Sequence, residues 1–346
     1  MPTSEINNDE CLEQEDVNHV VTFDGMLDFG LKLFYISIRI ERAKKKIVNI
    51  DRFVKKFGVD PATACHIYEW MQRTEIDGAR LVGNDRDLKF FLIALYFLRH
   101  YPTEDEMNTT FQMSPKYISG KAWEYVKKLR ALKNEVICFP SDEEVRDDIW
   151  IMTVDGTHVW IQEPTHDELG QDPKYFSKKF KHAGMTFELG VSLTGGLIWI
   201  NGPFPAGTND ITMFRKPGGL KEKLRAMKKR AIGDRGYRGE PELISYFNAH
   251  DSKGVAKFKC RALMRHEIFN WKVKTFEAVR GRFRHSREKL AIAFEAICVV
   301  AQFKLETDSP LFDILIQQVI DKEFGTDDSE DESDDDSDDS SVGSED

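Results

Sequence analysis

The sequence predicts an α/β chain in which an all-α N-terminal region precedes a domain built on a mixed β-sheet. Residues 19–140 carry apolar side chains at helical spacing. From Asp148 the period changes, and short runs rich in β-branched and aromatic residues alternate with turn residues until helical segments return. The predicted domains are therefore residues 19–140 and residues 148–306, followed by a helix over residues 307–325.

Charge is unevenly distributed along the chain, which carries 59 acids and 49 bases for a net charge of −10. Residues 1–31 hold 8 of the acids, residues 326–346 hold 12, and neither segment holds a base. Residues 32–325 are left with 39 acids against all 49 bases. A basic body between acidic ends suits a polyanionic ligand, although charge alone also fits a soluble protein with solvated tails.

Cysteine usage and hydropathy exclude several classes of protein. The five cysteines are scattered and no CxxC pair occurs, so neither a zinc ribbon nor a disulfide framework is indicated, and a reducing compartment fits. The N-terminus is too polar and acidic for a secretory signal, and the longest apolar run, residues 90–98, is about half of a membrane span. We therefore expect a soluble intracellular protein without a membrane partner.

The N-terminal region contains two similar helix starts. Residues 57–71 and 111–129 share a Phe followed by Asp60 or Ser114 and a proline, which is typical of a capped helix with proline in its first turn. Residues 103–106, TEDE, form a capping-box pattern that opens a short helix before the second unit. Short helix, tight turn and longer helix describe a helix-turn-helix, and a plain helical bundle is the alternative.

The second domain combines three strands, a helix, a fourth strand and further helices. The expected strands are residues 149–161, 185–193, 196–204 and 231–237. The expected helices are residues 218–230, 241–250, a long segment ending near 283, and 289–305. This is the order of an RNase H-like domain of the retroviral-integrase type. Residues 1–18 are predicted to be disordered, and so is the acidic Ser/Asp tail, 326–346, which has too few apolar residues to bury a core.

Three acids stand out by their placement. Asp155 follows an apolar run, Asp234 ends a short strand, and Glu267 opens a basic helical segment. Taken singly, each acid also has a purely structural interpretation. The aspartates could form turns, and the glutamate could form an ion pair with Arg265 or Lys272. Two adjacent strands and a helix packed on them can also aim three carboxylates at one point. Carboxylate oxygens are the ligands that Mg²⁺ and Mn²⁺ prefer, and two such ions about 4 Å apart can cut a phosphodiester.

Other polar residues leave two readings open. Asp210 is either a helix N-cap or a fourth acid. His158 either supports the Asp155 loop or is exposed to solvent. Lys178 and Lys179 either bind a DNA backbone or lie in a solvated loop. No GxxxxGK[ST] phosphate loop is present, so ATP is not implied.

Several motifs together resemble the Harbinger-type DDE transposases, which are DDE superfamily endonucleases related to bacterial insertion-sequence transposases. The resemblance covers roughly residues 85–305 and is carried by FLIALYFLRHYPTEDE, VDGTH, GPFPAGTNDITMFR, GDRGYRG, RHEIFNWKVKTF, FRH and FEAICVVAQ. It implies an RNase H-like fold and metal-dependent cleavage and joining of DNA, with two Mg²⁺ or Mn²⁺ ions. It also implies that the catalytic and metal-binding residues are Asp155, Asp234 and Glu267.

The resemblance also implies a DNA-contacting face on the helix of Glu267. A basic residue seven positions after the glutamate approaches DNA in the bacterial relatives, and Lys274 stands there. The chain departs from the pattern in two ways: the Tyr and Arg that precede the glutamate in the relatives are not matched, since position 263 is Leu, and Trp271 replaces the glycine commonly found after the Asn. The side chains expected to contact DNA are Lys116, Lys127, Lys178, Lys179, Trp271, Lys274, Arg282 and Arg284.

The expected function is that of a transposase-like DNA endonuclease and strand-transferase. Its DNA partners would be transposon ends and target DNA, and its place of action the nucleus after import from the cytoplasm. The alternatives are a domesticated DNA-binding regulator without turnover and a nuclease without transposition activity. The sequence leaves open whether a separate DNA-binding partner protein or a homo-oligomer is required.

Deleting residues 326–346 is expected to tighten non-specific DNA binding, because twelve tethered carboxylates compete with DNA phosphates for the basic body. Titrations of the full-length and truncated proteins at two salt concentrations measure the effect, which should be largest at low salt. Equal affinities at low salt would make the tail a solubility segment or a site for basic partners.

Overall fold

A cluster of helices comes first in the described chain. The computed structural model describes residues 21–36, 43–75, 80–163 and 172–314. The helices before the first strand are α1 (Phe23–Lys32), α2 (Ala43–Phe57), α3 (Pro61–Arg73), α4 (Asp85–His100), α5 (Glu104–Phe111), α6 (Pro115–Ala131) and α7 (Lys133–Val136). Across the described ranges, no helix combines the length and apolarity that crossing a bilayer requires.

Side-chain capping marks the predicted starts of α3 and α5, whereas Ser114 makes no side-chain capping hydrogen bond to α6. The Asp60 carboxylate accepts hydrogen bonds from the first amides of α3, and Thr103 and Glu106 form the predicted capping box of α5. Residues 112–114 then turn the chain into α6, with Gln112 in the left-handed region at φ 54°. The predicted short helix, turn and longer helix are therefore present, and their role in DNA binding stays a prediction.

The second part of the chain is a mixed sheet with β1 near its centre. Its strands are β1 (Trp150–Trp160), β2 (Phe176–Ser177), β3 (His182–Ser192), β4 (Leu197–Pro205), β5 (Arg230–Gly233) and β6 (Ile244–Ser245). β1 pairs antiparallel with β3 and parallel with β5. β3 also pairs with β2 and β4, and β5 with β6. The mixed α/β class predicted from the sequence is confirmed.

Five helices complete the described fold around the sheet: α8 (Asp210–Phe214), α9 (Leu220–Met227), α10 (Lys253–Lys274), α11 (Glu277–Arg280) and α12 (Arg287–Thr307). Helix α12 is almost fully buried and connects the N-terminal helices to the sheet. Its Phe294 stacks on Phe187 of β3, and its Glu295 binds Arg130 of α6 and Lys133 of α7. The two predicted domains thus share one apolar core.

Three predicted helices differ from those observed. Residues 241–250 form turns and β6 instead of a helix, because Ile244 and Ser245 pair with β5 and are buried there. The long segment expected to end near 283 begins at Lys253 behind the Ser252 cap and ends at Lys274, where Phe276 turns into the core. Residues 309–314 are not helical, so no helix starts at 307 within the described part of that segment. Residues 315–325 and both acidic termini lie outside the described residues.

Arg265 has no part in a basic surface, because its side chain is fully buried. Its guanidinium donates to the backbone carbonyls of Ser192, Gly195 and Phe312, and so ties α10 to the β3–β4 hairpin turn. Lys272 donates to Ser309. Neither cation pairs with Glu267 among the described residues, so the ion-pair reading of that glutamate is wrong.

Replacing Arg265 with Met is expected to lower the free energy of unfolding by at least about 3 kcal/mol, because buried carbonyls lose their donors. Urea denaturation measures the loss. The matched control is Lys257→Met on the exposed face of the same helix, which should stay within about 0.5 kcal/mol of the parent protein. Similar stabilities for the two variants would contradict the structural role of Arg265.

Candidate active site

Asp155 lies on the central strand β1 and accepts two hydrogen bonds. Its Oδ1 accepts from the Gly156 amide at 2.8 Å, and its Oδ2 accepts from Asn270 Nδ2 at 3.3 Å. Asn270 also accepts from Thr157 Oγ1 at 2.6 Å, so this amide links α10 to β1 beside the carboxylate. Asn270 was not among the site residues predicted from the sequence. Its position one helical turn after Glu267 could have indicated that it faces the same site.

Asp234 lies at the corresponding position of the next strand. β1 and β5 run parallel with Val154 opposite Gly233, so Asp155, inside β1, and Asp234, just after β5, both follow that pair. Asp234 accepts a hydrogen bond from the Gly236 amide at 2.7 Å, which caps a short 3-10 turn. The turn reading and the site reading of this aspartate are therefore compatible.

Asp210 is a fourth carboxylate of this region. The N-cap of α8 is Asn209, so the N-cap reading of Asp210 is wrong. A Cβ added at Gly156 would lie 2.9 Å from Asp210 Oδ1, and one added at Gly236 would overlap Asp210 Oδ2. Both glycines therefore let Asp210 approach the loops that carry Asp155 and Asp234.

Glu267 reaches the site from the opposite side. The sequence analysis expected Glu267 to open a helix, but the residue lies in the C-terminal half of α10. The helix begins fourteen residues earlier because Ser252 caps it. α10 packs on β1, and Glu267 is exposed in a cleft that it shares with Asp155, Asn270 and Trp271.

The four carboxylates repel one another. Burial raises the pKa of Asp155 to about 7, assisted by Glu267, Asp234 and Asp210 and opposed by the Gly156 amide. Burial, and then Asp234, raise the pKa of Asp210. Burial also raises the pKa of Glu188, inside β3, to about 7. The region therefore favours a bound cation or a bound proton.

Two clefts meet at Asp155. The first, about 800 Å³, is lined by Glu267, Asn270, Trp271 and Lys274 and is called the glutamate-side cleft. The second, about 830 Å³, is lined by Asp210, Asp234, Lys174 and Lys178 and is called the aspartate-side cleft. The residues that line both are Asp155, Gly156, His158, Lys179 and Phe180. Asp155 therefore faces one carboxylate partner on one side and two on the other.

The donor set suits a hard divalent cation, because each candidate ligand is a carboxylate oxygen. Within residues 21–36, 43–75, 80–163 and 172–314, however, no three Asp, Glu, His or Cys side chains are gathered closely enough to hold one ion. The structure thus brings Asp155, Asp234 and Glu267 to the same pair of clefts without closing a three-ligand site. Their metal-binding role stays a prediction.

The predicted DNA contacts fall into two groups. Lys274 donates to the carbonyls of His158 and Val279, and burial lowers its pKa to about 8. Arg284 donates to the carbonyls of Tyr101 and Pro102. Both side chains therefore already serve the fold, and a phosphate would have to compete with those carbonyls. Arg284 is nevertheless exposed, as are the other six candidates, Lys116, Lys127, Lys178, Lys179, Trp271 and Arg282.

His158 is partly buried rather than fully exposed. Its ring stacks on Phe180 with centroids 4.4 Å apart and lies 5.0 Å from His182. Burial, and then the charge of His182, lower the pKa of His158 to about 4. At neutral pH this ring is therefore uncharged and acts as a packing surface between the clefts.

Comparison with known proteins finds a family similar to the sheet domain. Residues 154–302 match the family described as DDE superfamily endonuclease. The matched segment starts one residue before Asp155 and includes Asp210, Asp234, Glu267 and Asn270. The matched segment thus contains each carboxylate that lines the two clefts.

Two solved structures show weak similarity to the chain. The Mos1 transposase paired-end complex with left transposon end is 10% identical over 84% of this chain and 95% of that chain, with a TM-score of 0.23. The pre-cleavage Mos1 transpososome is 10% identical over 84% and 99%, with a TM-score of 0.18. No curated protein matches the chain.

Asp155→Asn is expected to raise the melting temperature of the ion-free protein by several degrees at pH 8, because the neutral amide removes a buried charge. A carboxyl group whose folded pKa is about 7 binds protons more tightly than it does in the unfolded chain. Its contribution to stability is therefore present below about pH 4 and is lost as pH rises to about 7.

Thermal unfolding in EDTA from pH 4 to pH 8 tests this dependence. The gain of Asp155→Asn should grow between these limits and shrink when Mn²⁺ is added. The exposed Glu242→Gln variant is the control and should show no such trend. A gain for Asp155→Asn that is constant across pH would argue against the charge repulsion.

Proposed function

We propose that the protein is a divalent-metal-dependent DNA endonuclease and strand-transferase of the Harbinger transposase type. The observation that supports it most is that one segment, residues 154–302, both matches the DDE superfamily endonuclease family and carries the carboxylates around Asp155. Asp155, Asp234 and Glu267 are the proposed catalytic, metal-binding residues. The sheet with its flanking helices is proposed to be an RNase H-like domain.

Two Mg²⁺ or Mn²⁺ ions are proposed to bind on the two sides of Asp155. Glu267 would supply a ligand in the glutamate-side cleft, and Asp234 would supply one in the aspartate-side cleft, with Asp155 common to both. When bound, such ions activate water and stabilise the leaving oxygen of a phosphodiester. Burial first, and then the neighbouring carboxylates, raise the pKa values of Asp155 and Asp210, and a cation bound there would offset both effects.

The residues around Asp155 would keep its carboxylate in a fixed orientation during the reaction. Gly156 and Asn270 hold its two oxygens, and Thr157 fixes the Asn270 amide in turn. A ligand whose own hydrogen bonds are satisfied loses little conformational freedom when it binds an ion. Asn270 is thus proposed as a positioning residue of the site.

DNA is the proposed substrate, in the form of transposon ends and target DNA, and the nucleus is the proposed place of action. Exposed Lys178 and Lys179 border the aspartate-side cleft and can contact phosphates there. Helix α6 presents Lys116 and Lys127 to solvent and is proposed as the recognition helix of a helix-turn-helix. A separate DNA-binding protein or a second copy of the chain would supply further contacts.

A regulator that binds DNA without cutting it is the second candidate. The observation that favours it is that the carboxylates of the described residues form no three-ligand group. The resemblance to active transposases and the retention of three acids favour the nuclease. Cleavage assays separate the two candidates directly.

Asp155→Asn, Asp234→Asn and Glu267→Gln are each expected to reduce nicking of DNA in Mn²⁺ by at least about a hundredfold, because each change removes an anionic metal ligand. Nicking of a supercoiled plasmid and of duplexes that carry the element's own ends measures the loss. DNA binding should be retained, or improve slightly, since negative charge near the phosphates falls.

Glu242→Gln, an exposed carboxylate outside both clefts, is the matched control and should nick at the parental rate. Nicking by Asp155→Asn at the rate of this control would remove Asp155 from the active site. A wild-type protein that binds the ends but does not nick them in Mn²⁺ or Mg²⁺ would support the regulator instead.

A further inference from the structure

The glutamate-side cleft has a wall of aromatic rings that the proposed metal chemistry does not use. Trp160, at the end of β1, is 40% exposed, Phe180 is 45% exposed, and Trp271 on α10 is 67% exposed. All three line this cleft together with the carboxylates of Asp155 and Glu267. Single exposed aromatic residues are common, but several around one cleft mark a binding surface.

Four of the rings lie next to one another, Phe180 stacked on His158 and on His182 and the others tilted, and form what is called here the ring stack: Trp160, His182, Phe180 and His158. Trp160 and His182 have centroids 4.9 Å apart at 34°, His182 and Phe180 6.2 Å apart at 28°, and Phe180 and His158 4.4 Å apart at 18°. Such clustered rings offer flat faces to another planar group. Trp271 has no ring partner within the described chain and faces the cleft separately.

Cations border the rings. The Arg282 guanidinium lies 5.9 Å from the centre of the Trp160 ring, and the Lys179 amine 5.4 Å from that of Phe180. Arg280 is exposed and lines the cleft as well. Flat rings beside exposed positive charges complement a ligand that is planar in one part and anionic in another, as a nucleotide is.

We propose that the glutamate-side cleft binds an unpaired nucleobase of DNA against Trp271 and the ring stack, with the flanking phosphates on Lys179 and Arg282. In an intact duplex the base faces are covered by their neighbours, and phosphates and groove edges alone are accessible. A ring face can therefore stack on a base only where the strand is single or the base is turned out of the helix. This inference rests on the proposed function, because DNA is the substrate of the same site.

The carboxylates of the cleft relate the proposed base site to the proposed cleavage site. Asp155 and Glu267 line the same cleft as the rings, so a base held by the rings lies in the cleft where cleavage is proposed. The acids repel phosphates, whereas neutral rings do not. Stacking would thus hold the strand next to a negatively charged site without relying on charge at that point.

Binding in EDTA to three probes of equal length tests the proposal: oligothymidylate, an abasic oligonucleotide with the same phosphates, and a blunt duplex. The full-length protein should bind oligothymidylate about tenfold or more tighter than the abasic strand, since each stacked base contributes about 1–3 kcal/mol. The double variant Trp160→Ala and Trp271→Ala should lose most of that ratio, while its affinities for the abasic strand and the duplex change less than about twofold.

Three further variants keep the test interpretable. Trp160→Phe with Trp271→Phe retains ring faces and should keep most of the preference. Phe247→Ala removes a ring that is 47% exposed outside the cleft and should change nothing. Trp271→Ala alone alters an exposed helix position and should fold even if the double variant does not, with loss of part of the preference as its expected result.

Two results would overturn the proposal: no preference of the parent protein for bases over the abasic strand, or equal weakening of all three probes by Trp271→Ala. Its failure is separable from that of the proposed function. Nicking in Mn²⁺ without a preference for bases rejects the base site alone. A ring-dependent preference without nicking supports the base site and rejects the endonuclease.

Discussion

The parallel pairing of β1 with β5 is the contact on which the site depends. Since Val154 lies opposite Gly233, the next residues, Asp155 inside β1 and Asp234 just after β5, lie beside each other. Each other feature is built around that pair: Gly156 and Gly236 make room for Asp210, and α10 packs on β1 to bring Glu267 from the far side. A shift of one residue in the pairing of the strands would turn Asp155 to the opposite face of the sheet and separate it from Asp234.

This arrangement lowers the stability of the ion-free protein, because it places negative charges around a buried carboxylate. Asp155 is held by a backbone amide and by Asn270, yet burial and three neighbouring carboxylates still raise its pKa to about 7. The surrounding packing, including the Phe187–Phe294 stack and the buried Arg265, must offset that repulsion. Such local destabilisation is common where a protein keeps charged groups ready for a ligand.

The sequence predicted the elements whose signals are local. The helix starts at Asp60 and Thr103 were predicted from caps, and the strands with their acidic ends from period and turn residues. It could not predict what depends on distant partners. The basic pattern of α10 did not reveal that Arg265 binds carbonyls of a hairpin turn. Glu188 was not predicted as a buried acid, because it stands inside an otherwise apolar strand. Asp210 was considered as the N-cap of α8, but the adjacent Asn209 has that position.

In the proposed DNA binding, the cations held by backbone carbonyls and the exposed rings would have roles that differ from those the sequence suggested. Lys274 and Arg284 are held by backbone carbonyls, so the positive charge of the α10 region partly stabilises the contact between the sheet and the N-terminal helices. The residues left free to meet a strand near Asp155 are Trp160, Trp271, Lys179 and Arg282. Phosphate attraction there must overcome four carboxylates, whereas stacking on neutral rings is not opposed by them. The charges and rings of the cleft thus favour a DNA strand whose bases stack on the rings close to the acids and whose phosphates bind farther away.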